Sequence, residues 1–343
     1  METIAQAPAA ERAELFNETA ARRGLAPPIV EKDFWVCWTL GRLFAASDRR
    51  PGLIFKGGTS LSKVYRAIER FSEDIDLAFD RHDLGFADDR DPMQASSGKQ
   101  AQRLLDELSE ATIRHVAERF VPDLEALLAE ALGPAGPATW SVTIDPADPQ
   151  TVEFVYPSSL AAGTYDALAY VRPTVRLELG ARTEHWPSEE AQIEPYAAEA
   201  FPDLFVSASV TVRALAIERT FWEKATILHA EAHRPADKPA PIRLSRHYYD
   251  LAMLAAGPYA ERCLARIDLL EAVARHKARF FRSSWAAYDT ARPGSLRLSP
   301  ASARLPKLRA DYRQMGDMIF GDPPHLDTAL ETLARLEKRI NRL

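Results

Sequence analysis

The chain has 343 residues, 46% of them hydrophobic, and a formal net charge of −6. That is apolar material for two domains or one elaborated domain, in an ordinary globular proportion. No apolar run approaches the roughly 20 residues that span a bilayer, the start METIAQAPAAERAELF has no basic stretch followed by an apolar block, and Cys37 and Cys263 are too far apart in sequence to suggest a zinc site or a disulfide framework. A protein of the reducing cytoplasm, without membrane association, is expected.

In chain order, residues 9–23 and 29–46 read as helices; in the second, Ile29, Phe34, Trp35, Trp38 and Leu40 form an apolar stripe. Leu53, Ile54 and Phe55 read as a short buried strand. Leu61, Val64, Tyr65 and Ile68 fall at i, i+3, i+4 and i+7, which predicts a helix over 60–70. Residues 75–79 alternate and predict a second strand, 81–98 are polar and loop-like, and 100–132 read as two helices split near Pro122. After the breaker GPAGPA (133–138), the segments WSVTI (140–144), TVEFVY (151–156) and VRLEL (175–179) predict three more strands. Beyond them only helices are expected, over 209–232, 243–256, 259–281 and 324–342. The fold class is thus α/β (α+β) with a mixed sheet, followed by an all-α part, with domains at 1–190 and 191–343.

Charge is unevenly spread. Residues 73–130 carry 15 acidic and 6 basic side chains, whereas 261–313 carry 12 basic and 5 acidic. A basic C-terminal part in an acidic protein suits a polyanion, and equally suits a solvated helix surface.

The chemistry concentrates in KGGTSLSKVYRAIERFSEDID (56–76). Gly57 and Gly58 join a strand to a helix, where glycine permits a tight turn and close approach of N–H groups to a ligand. The helix start adds the positive end of its dipole, and Thr59 and Ser60 add hydroxyls, a combination suited to phosphate. Lys63 lies one turn on, near enough to assist. Asp74 and Asp76 are two apart on a strand and so share a face. Two ionised carboxylates side by side are costly without a cation between them, and Mg²⁺ suits oxygen ligands. A third carboxylate is expected from a neighbouring strand. Glu178 is the first candidate and Glu153 the fallback, with Arg176 beside Glu178 as a phosphate contact. Ser72 and Glu73 flank the aspartates. Ser72 would steer a carboxylate or accept a nucleotide or phosphate; Lys56 and Arg70 have no assigned role. His185, His229 and His233 show no ligand spacing.

FKGGTSLSKVY followed by RFSEDIDLAF resembles the AbiEii/AbiGii-type toxin nucleotidyltransferases, a branch of the DNA-polymerase-β-like nucleotidyltransferases. The likeness is dense over 55–79 and thinner through VRLEL and the helical half. It implies a nucleotidyltransferase core in the first domain and a helical second domain completing the nucleotide site, in the cleft between the two. It directs attention to IERTFWEKATILH (217–229), where Lys224 would contact the triphosphate beside Glu223, and to RLSRHYYDLAML (243–254), where Asp250 would orient Lys224 or bind base or ribose. Arg243, Arg246 and His247 would grip an RNA backbone. The resemblance further implies Mg²⁺, with Mn²⁺ as a substitute, held by Asp74, Asp76 and Glu178; an NTP substrate; a tRNA 3′ end or other RNA as acceptor; and a cognate antitoxin protein. The alternatives are a nucleotidyltransferase or kinase acting on protein hydroxyls, and a nucleotide-binding protein without catalysis.

Overall fold

The computed structural model describes all residues except 47–51, 73, 137, 138, 167, 169 and 170. The end of the 133–138 breaker therefore lies outside the described residues. By internal contacts the chain divides into two units: Met1–Val64, Ser72–Asp88 and Asp106–Ala214 form the first; Tyr65–Phe71, Asp89–Leu105 and Leu215–Leu343 form the second. The expected division after residue 190 falls inside a strand of the first unit.

The first unit is built on seven strands: β1 (Leu53–Lys56), β2 (Asp74–Phe79), β3 (Ser141–Asp145), β4 (Asp148–Val155), β5 (Thr174–Gly180), β6 (Ser188–Ile193) and β7 (Val210–Leu215). Their order across the sheet is β3-β4-β5-β2-β1-β7-β6. β2 runs antiparallel to β1 and parallel to β5, so the sheet is mixed. The last two strands correct the expectation that strands end with VRLEL. Val210, Thr211 and Val212 are β-branched, and β7 lies parallel to β1 through Phe55 and Ala214; helix begins only at Ile217.

Alternation gives the sheet two unlike faces. Ile75, Leu77 and Phe79 of β2, Val175 and Leu177 of β5, and Val152 and Phe154 of β4 are buried and point to one side. Trp35, on the helix Pro27–Ala45, stacks on Tyr156 at 5.5 Å and meets Phe154 edge-on at 6.1 Å. Phe120 and His115 meet Phe79 on the same side at 5.8 and 4.7 Å. The intervening residues, Asp74 and Asp76, Arg176 and Glu178, and Glu153, point the other way.

Between the helices Gly98–His115 and Val121–Leu132, the expected break near Pro122 is a single π-helical stretch, Val116–Phe120. Pro122 follows directly on that widened turn, which accommodates a proline that cannot donate to the N–H ladder, so the helix runs on without a break. A larger difference lies at 60–70. The helix spans Gly57–Lys63 and stops there. Arg66 has φ +48°, and the chain then extends, with Phe71 N–H donating to the Met318 carbonyl and Phe320 N–H to the Glu69 carbonyl, both at 2.7 Å. Long-range pairing thus outcompetes the amphipathic pattern of Leu61, Val64, Tyr65 and Ile68, and residues 65–71 join the second unit.

That second unit is helical: Ile217–Ala232, Ser245–Ala256, Ala260–Leu264, Asp268–Phe280, Leu305–Met315 and Leu326–Ile340. The expected single helix over 259–281 is two, the second opening at Asp268, where an acidic residue favours the helix dipole. Trp222, Leu251, Leu254, Leu269, Val273 and Leu333 form its buried interior. Both cysteines are buried and free. Among the described residues no helix is long and apolar enough to cross a membrane.

Two buried acids brace the long helix Pro27–Ala45 within the first unit. Glu31 is fully buried and accepts from Ser158 Oγ, Ser159 N–H, Ser159 Oγ and Tyr165 OH at 2.6–2.8 Å. Asp33 accepts from Tyr196 N–H at 2.7 Å and pairs with Lys63 at 2.8 Å. Lys63 Nζ also lies 4.0 Å from the centre of the Tyr196 ring. Burial opposes the lysine's charge, but the adjacent Asp33 outweighs it and raises the Lys63 pKa above its ordinary value. This corrects the expectation that Lys63 assists with phosphate: its ammonium anchors the glycine-led helix. Replacing Lys63 by Met leaves a buried carboxylate unpaired and is expected to cost about 3–5 kcal/mol. Urea unfolding reads this as a lowered midpoint; an unchanged midpoint would release Lys63 from the structural role.

Candidate nucleotide-transfer site

β1 leads directly into the helix Gly57–Lys63, and Lys56 stands opposite Asp76 in the β1–β2 register. Gly57 follows at φ +80°, in the region where a side chain is strained. A Cβ placed on Gly57 would lie 1.9 Å from Asp76 Oδ2 and 2.6 Å from its carboxyl carbon. Glycine is therefore required twice over, by its dihedral and by the carboxylate against its backbone. The turn and the aspartates adjoin.

Two hydroxyls expected to hold phosphate are used otherwise. Thr59 is buried, and its hydroxyl donates to the carbonyls of Asp74 and Ser72. The hydroxyl of buried Ser60 donates to the Gly57 carbonyl at 2.9 Å. Thr59 thus positions the start of the aspartate strand, and phosphate would be left to backbone N–H groups of the helix's first turn, which have no partner inside the helix. Ser72 contributes its carbonyl to this bracing. Glu73 lies outside the described residues.

Asp76 stands beside Glu178 in the parallel β2–β5 register, and Asp74 beside Arg176. Glu178 pairs onward with Thr151, and Arg176 with Glu153, on β4. The sheet face thus carries Asp74, Asp76 and Glu178 in adjoining positions, and Glu153 one strand farther out. Arg176 reaches Glu153 at 3.0 Å, Asp145 at 3.4 Å and Asp74 at 3.5 Å, and Lys56 lies 3.5 Å from Asp76. Both aspartates therefore have a cationic neighbour on the sheet.

The donors are all carboxylate oxygens, which suit a hard cation. Among the described residues, no three His, Cys, Asp or Glu side chains are gathered closely enough to hold an ion by themselves. The face fits a metal bound by one or two carboxylates, with water and phosphate oxygens completing its shell, which is the habit of Mg²⁺.

Lys224 and Asp250 belong to the second unit. Asp250 is fully buried. It takes a two-pronged contact from Arg70, at 2.7 Å (Nε) and 2.9 Å (Nη2), and Lys224 Nζ at 2.7 Å. Burial opposes the carboxylate's charge, yet Arg70 and Lys224 hold its pKa below the ordinary aspartate value. Of the two roles the sequence left open for Asp250, orienting Lys224 is the contact seen. Arg70, without an assigned role until now, is the second anchor; neither spacing nor periodicity links residue 70 to residue 250. Lys224 also lies 3.2 Å from His247 Nδ1. Partial burial and the Lys224 ammonium push the His247 pKa well below its usual value, so the ring is neutral and accepts. His247 is therefore a partner of Lys224 rather than a cation for RNA. Glu223 turns elsewhere: its carboxylate accepts from Arg219 at 3.2 Å and its carbonyl from Lys277 at 2.7 Å.

Among the described residues, four of the twelve basic residues over 261–313 are held in ion pairs, two of them with acids outside that stretch. Arg262, Arg266, Arg275 and Arg309 pair with Glu218, Asp268, Glu271 and Asp327. His229 is buried and bonded through both nitrogens, to the Ala287 carbonyl and the Arg297 N–H.

A strand, a glycine-led helix and a returning Asp-Ile-Asp strand with a glutamate in the next register form the framework of a nucleotidyltransferase. The sequence matches the family model "Nucleotidyl transferase AbiEii toxin, Type IV TA system" over residues 38–332, and the chain belongs to that family. It is a nucleotidyltransferase toxin of a type IV toxin–antitoxin system, and a cognate antitoxin is implied. Among solved structures, it is similar to MenT4, a nucleotidyltransferase toxin from Mycobacterium tuberculosis H37Rv. The identity is 16%, over 94% of this chain and 98% of that one, with a TM-score of 0.44. JHP933 from Helicobacter pylori is 14% identical over 98% of this chain and 95% of that one, with a TM-score of 0.38. No curated protein sequence matches this one.

Gly57→Ala is expected to cost about 1–3 kcal/mol through backbone strain and to displace Asp76, lowering nucleotide transfer about 10²-fold. Parallel unfolding and transfer assays check both; full activity in the variant would contradict the close approach. His247 gives a pH signature. Its folded pKa lies below the unfolded value of about 6.5, so its contribution to stability is present above that pH and is lost as pH falls below it. Melting temperatures between pH 7.5 and 5.5 should drop less in His247→Gln than in the parent.

Proposed function

We propose that this toxin transfers a nucleoside monophosphate from an NTP to the 3′ end of tRNA, blocking translation, with Mg²⁺ as cofactor and Mn²⁺ able to replace it. The observation that carries the metal reading is the Asp76 carboxylate lying against Gly57 with Glu178 next to it in register. Asp74 and Asp76 would hold the metal, with Glu178 alongside. When bound, the ion would neutralise charge on the triphosphate and on the pyrophosphate leaving group.

The acceptor hydroxyl attacks the α-phosphorus and gives up its proton to solvent, while the bond from that phosphorus to the pyrophosphate oxygen breaks and pyrophosphate departs. The Gly57 helix start orients phosphate through backbone N–H groups. Arg176 and Lys56, now beside Asp74 and Asp76, are placed to exchange a carboxylate for a phosphate oxygen as the nucleotide arrives. Lys224 is assigned to the triphosphate by family resemblance, with Asp250, Arg70 and His247 as its positioning residues. The tRNA acceptor rests on the same resemblance, and cytoplasmic action accords with it.

Incubation with each α-labelled NTP, total tRNA, cell protein and Mg²⁺ tests the reading. Label is expected in tRNA, and Asp76→Ala should abolish both labelling and growth inhibition while leaving the protein folded. Label in protein instead would move the acceptor to a Ser, Thr or Tyr hydroxyl, and full toxicity of Asp76→Ala would overturn the metal-assisted mechanism.

A further inference from the structure

The second unit contains a pocket of about 150 Å³ that none of the groups above uses. Pro239, Pro241 and Pro300 line it together with Leu244, Ala301 and Leu308. Proline fixes its own backbone dihedral, so this apolar wall is stiff and its shape is set before anything binds. A pocket of this size has room for a single benzene-sized ring.

Five polar residues also line it, and three of them are satisfied. Glu231 takes both its oxygens to Arg234 at 2.7 Å. Asp311 accepts from Arg243 N–H at 3.0 Å and Ser245 N–H at 2.7 Å. Arg304 donates to the carbonyls of Pro235 and Lys238. Tyr248 and Lys307 differ. Tyr248 is only 1% exposed and lines the pocket, yet among the described residues its hydroxyl has no hydrogen-bond partner. Lys307 is exposed at the pocket and has no ion-pair partner among the described residues. The ring is buried while its hydroxyl opens to the pocket, so a donor stands at the pocket wall for a ligand oxygen to accept from. Burial raises the Tyr248 pKa, so the group remains a donor at neutral pH. Glu231 is committed to Arg234, Asp311 to two backbone N–H groups and Arg304 to two carbonyls, which leaves Lys307 as the charged side chain of the lining without a hydrogen-bond or ion-pair partner among the described residues.

We infer that this pocket binds a small organic anion, a carboxylate on one aromatic ring or a compact branched aliphatic group. The apolar body fills the proline-walled cavity, an oxygen accepts from Tyr248, and Lys307 supplies the attraction for negative charge. The inference does not rest on the nucleotide-transfer reading and stands whether or not the acceptor is tRNA.

Titration of the full chain with benzoate, benzyl alcohol and benzylammonium, followed by ligand-observed NMR and calorimetry, tests this. Benzoate is expected to bind saturably, benzyl alcohol more weakly and benzylammonium not at all. Tyr248→Phe should weaken benzoate about fivefold, the worth of one hydrogen bond, with an unchanged melting temperature because the hydroxyl has no protein partner to lose. Lys307→Glu should weaken it about tenfold. Absence of saturable benzoate binding, equal binding of benzylammonium, or unchanged affinity in both variants would each overturn the inference.

Discussion

The approach of the Asp76 carboxylate to the backbone of Gly57 constrains everything around it. The β1–β2 register sets Lys56 opposite Asp76, so the residue that follows Lys56 must pass beside that carboxylate. A side chain there would overlap it, at 1.9 Å from Cβ to Oδ2, and the positive φ excludes one independently. Thr59 then ties the helix to the carbonyls of Ser72 and Asp74. Backbone geometry, rather than any flexible side chain, thereby fixes the distance between a helix start suited to phosphate and carboxylates suited to a cation. The parallel pairing of β2 with β5 extends the arrangement by bringing Glu178 beside Asp76.

Buried ion pairs hold this arrangement and its counterpart in the second unit. In the first, Lys63 and Asp33 join the end of the glycine-led helix to the long helix behind the sheet. In the second, Asp250 gathers Arg70 and Lys224. Such pairs add little net stability over an apolar contact, but removing one partner strands a charge, so they select one geometry strongly. The hydroxyls of Thr59 and Ser60 serve the same end. Residues whose types suggest ligand binding are here spent on keeping the ligand-facing backbone in place.

What could be read from the sequence follows the reach of each signal. Alternation over 75–79 and 175–179 found the central strands and placed Asp74, Asp76 and Glu178 on the polar face, because period and register are local. The glycine pair gave the turn for the same reason. The helix over 60–70 failed because Glu69 and Phe71 pair with residues near 318–320, which no window of ten residues contains. β7 was hidden because its Val210–Leu215 run merges with the apolar start of the next helix. Leu308, Tyr312 and Met315 do mark the helix Leu305–Met315 at i, i+4 and i+7, but a Pro near its start and a mostly charged surface mask them. The Lys63–Asp33 and Arg70–Asp250 pairs span 30 and 180 positions, by their residue numbers, and charge type alone does not choose between a phosphate and a buried carboxylate.

This sheet face and turn are proposed to bring a divalent cation and a triphosphate into direct contact. Mn²⁺ in place of Mg²⁺ makes the contact visible by pulsed electron paramagnetic resonance of the protein with a non-hydrolysable NTP analogue. Bound Mn²⁺ with phosphorus hyperfine coupling is expected, lost when Asp74 and Asp76 are both replaced by Asn. Mn²⁺ that binds without phosphorus coupling, or that binds the double variant equally well, would contradict that contact.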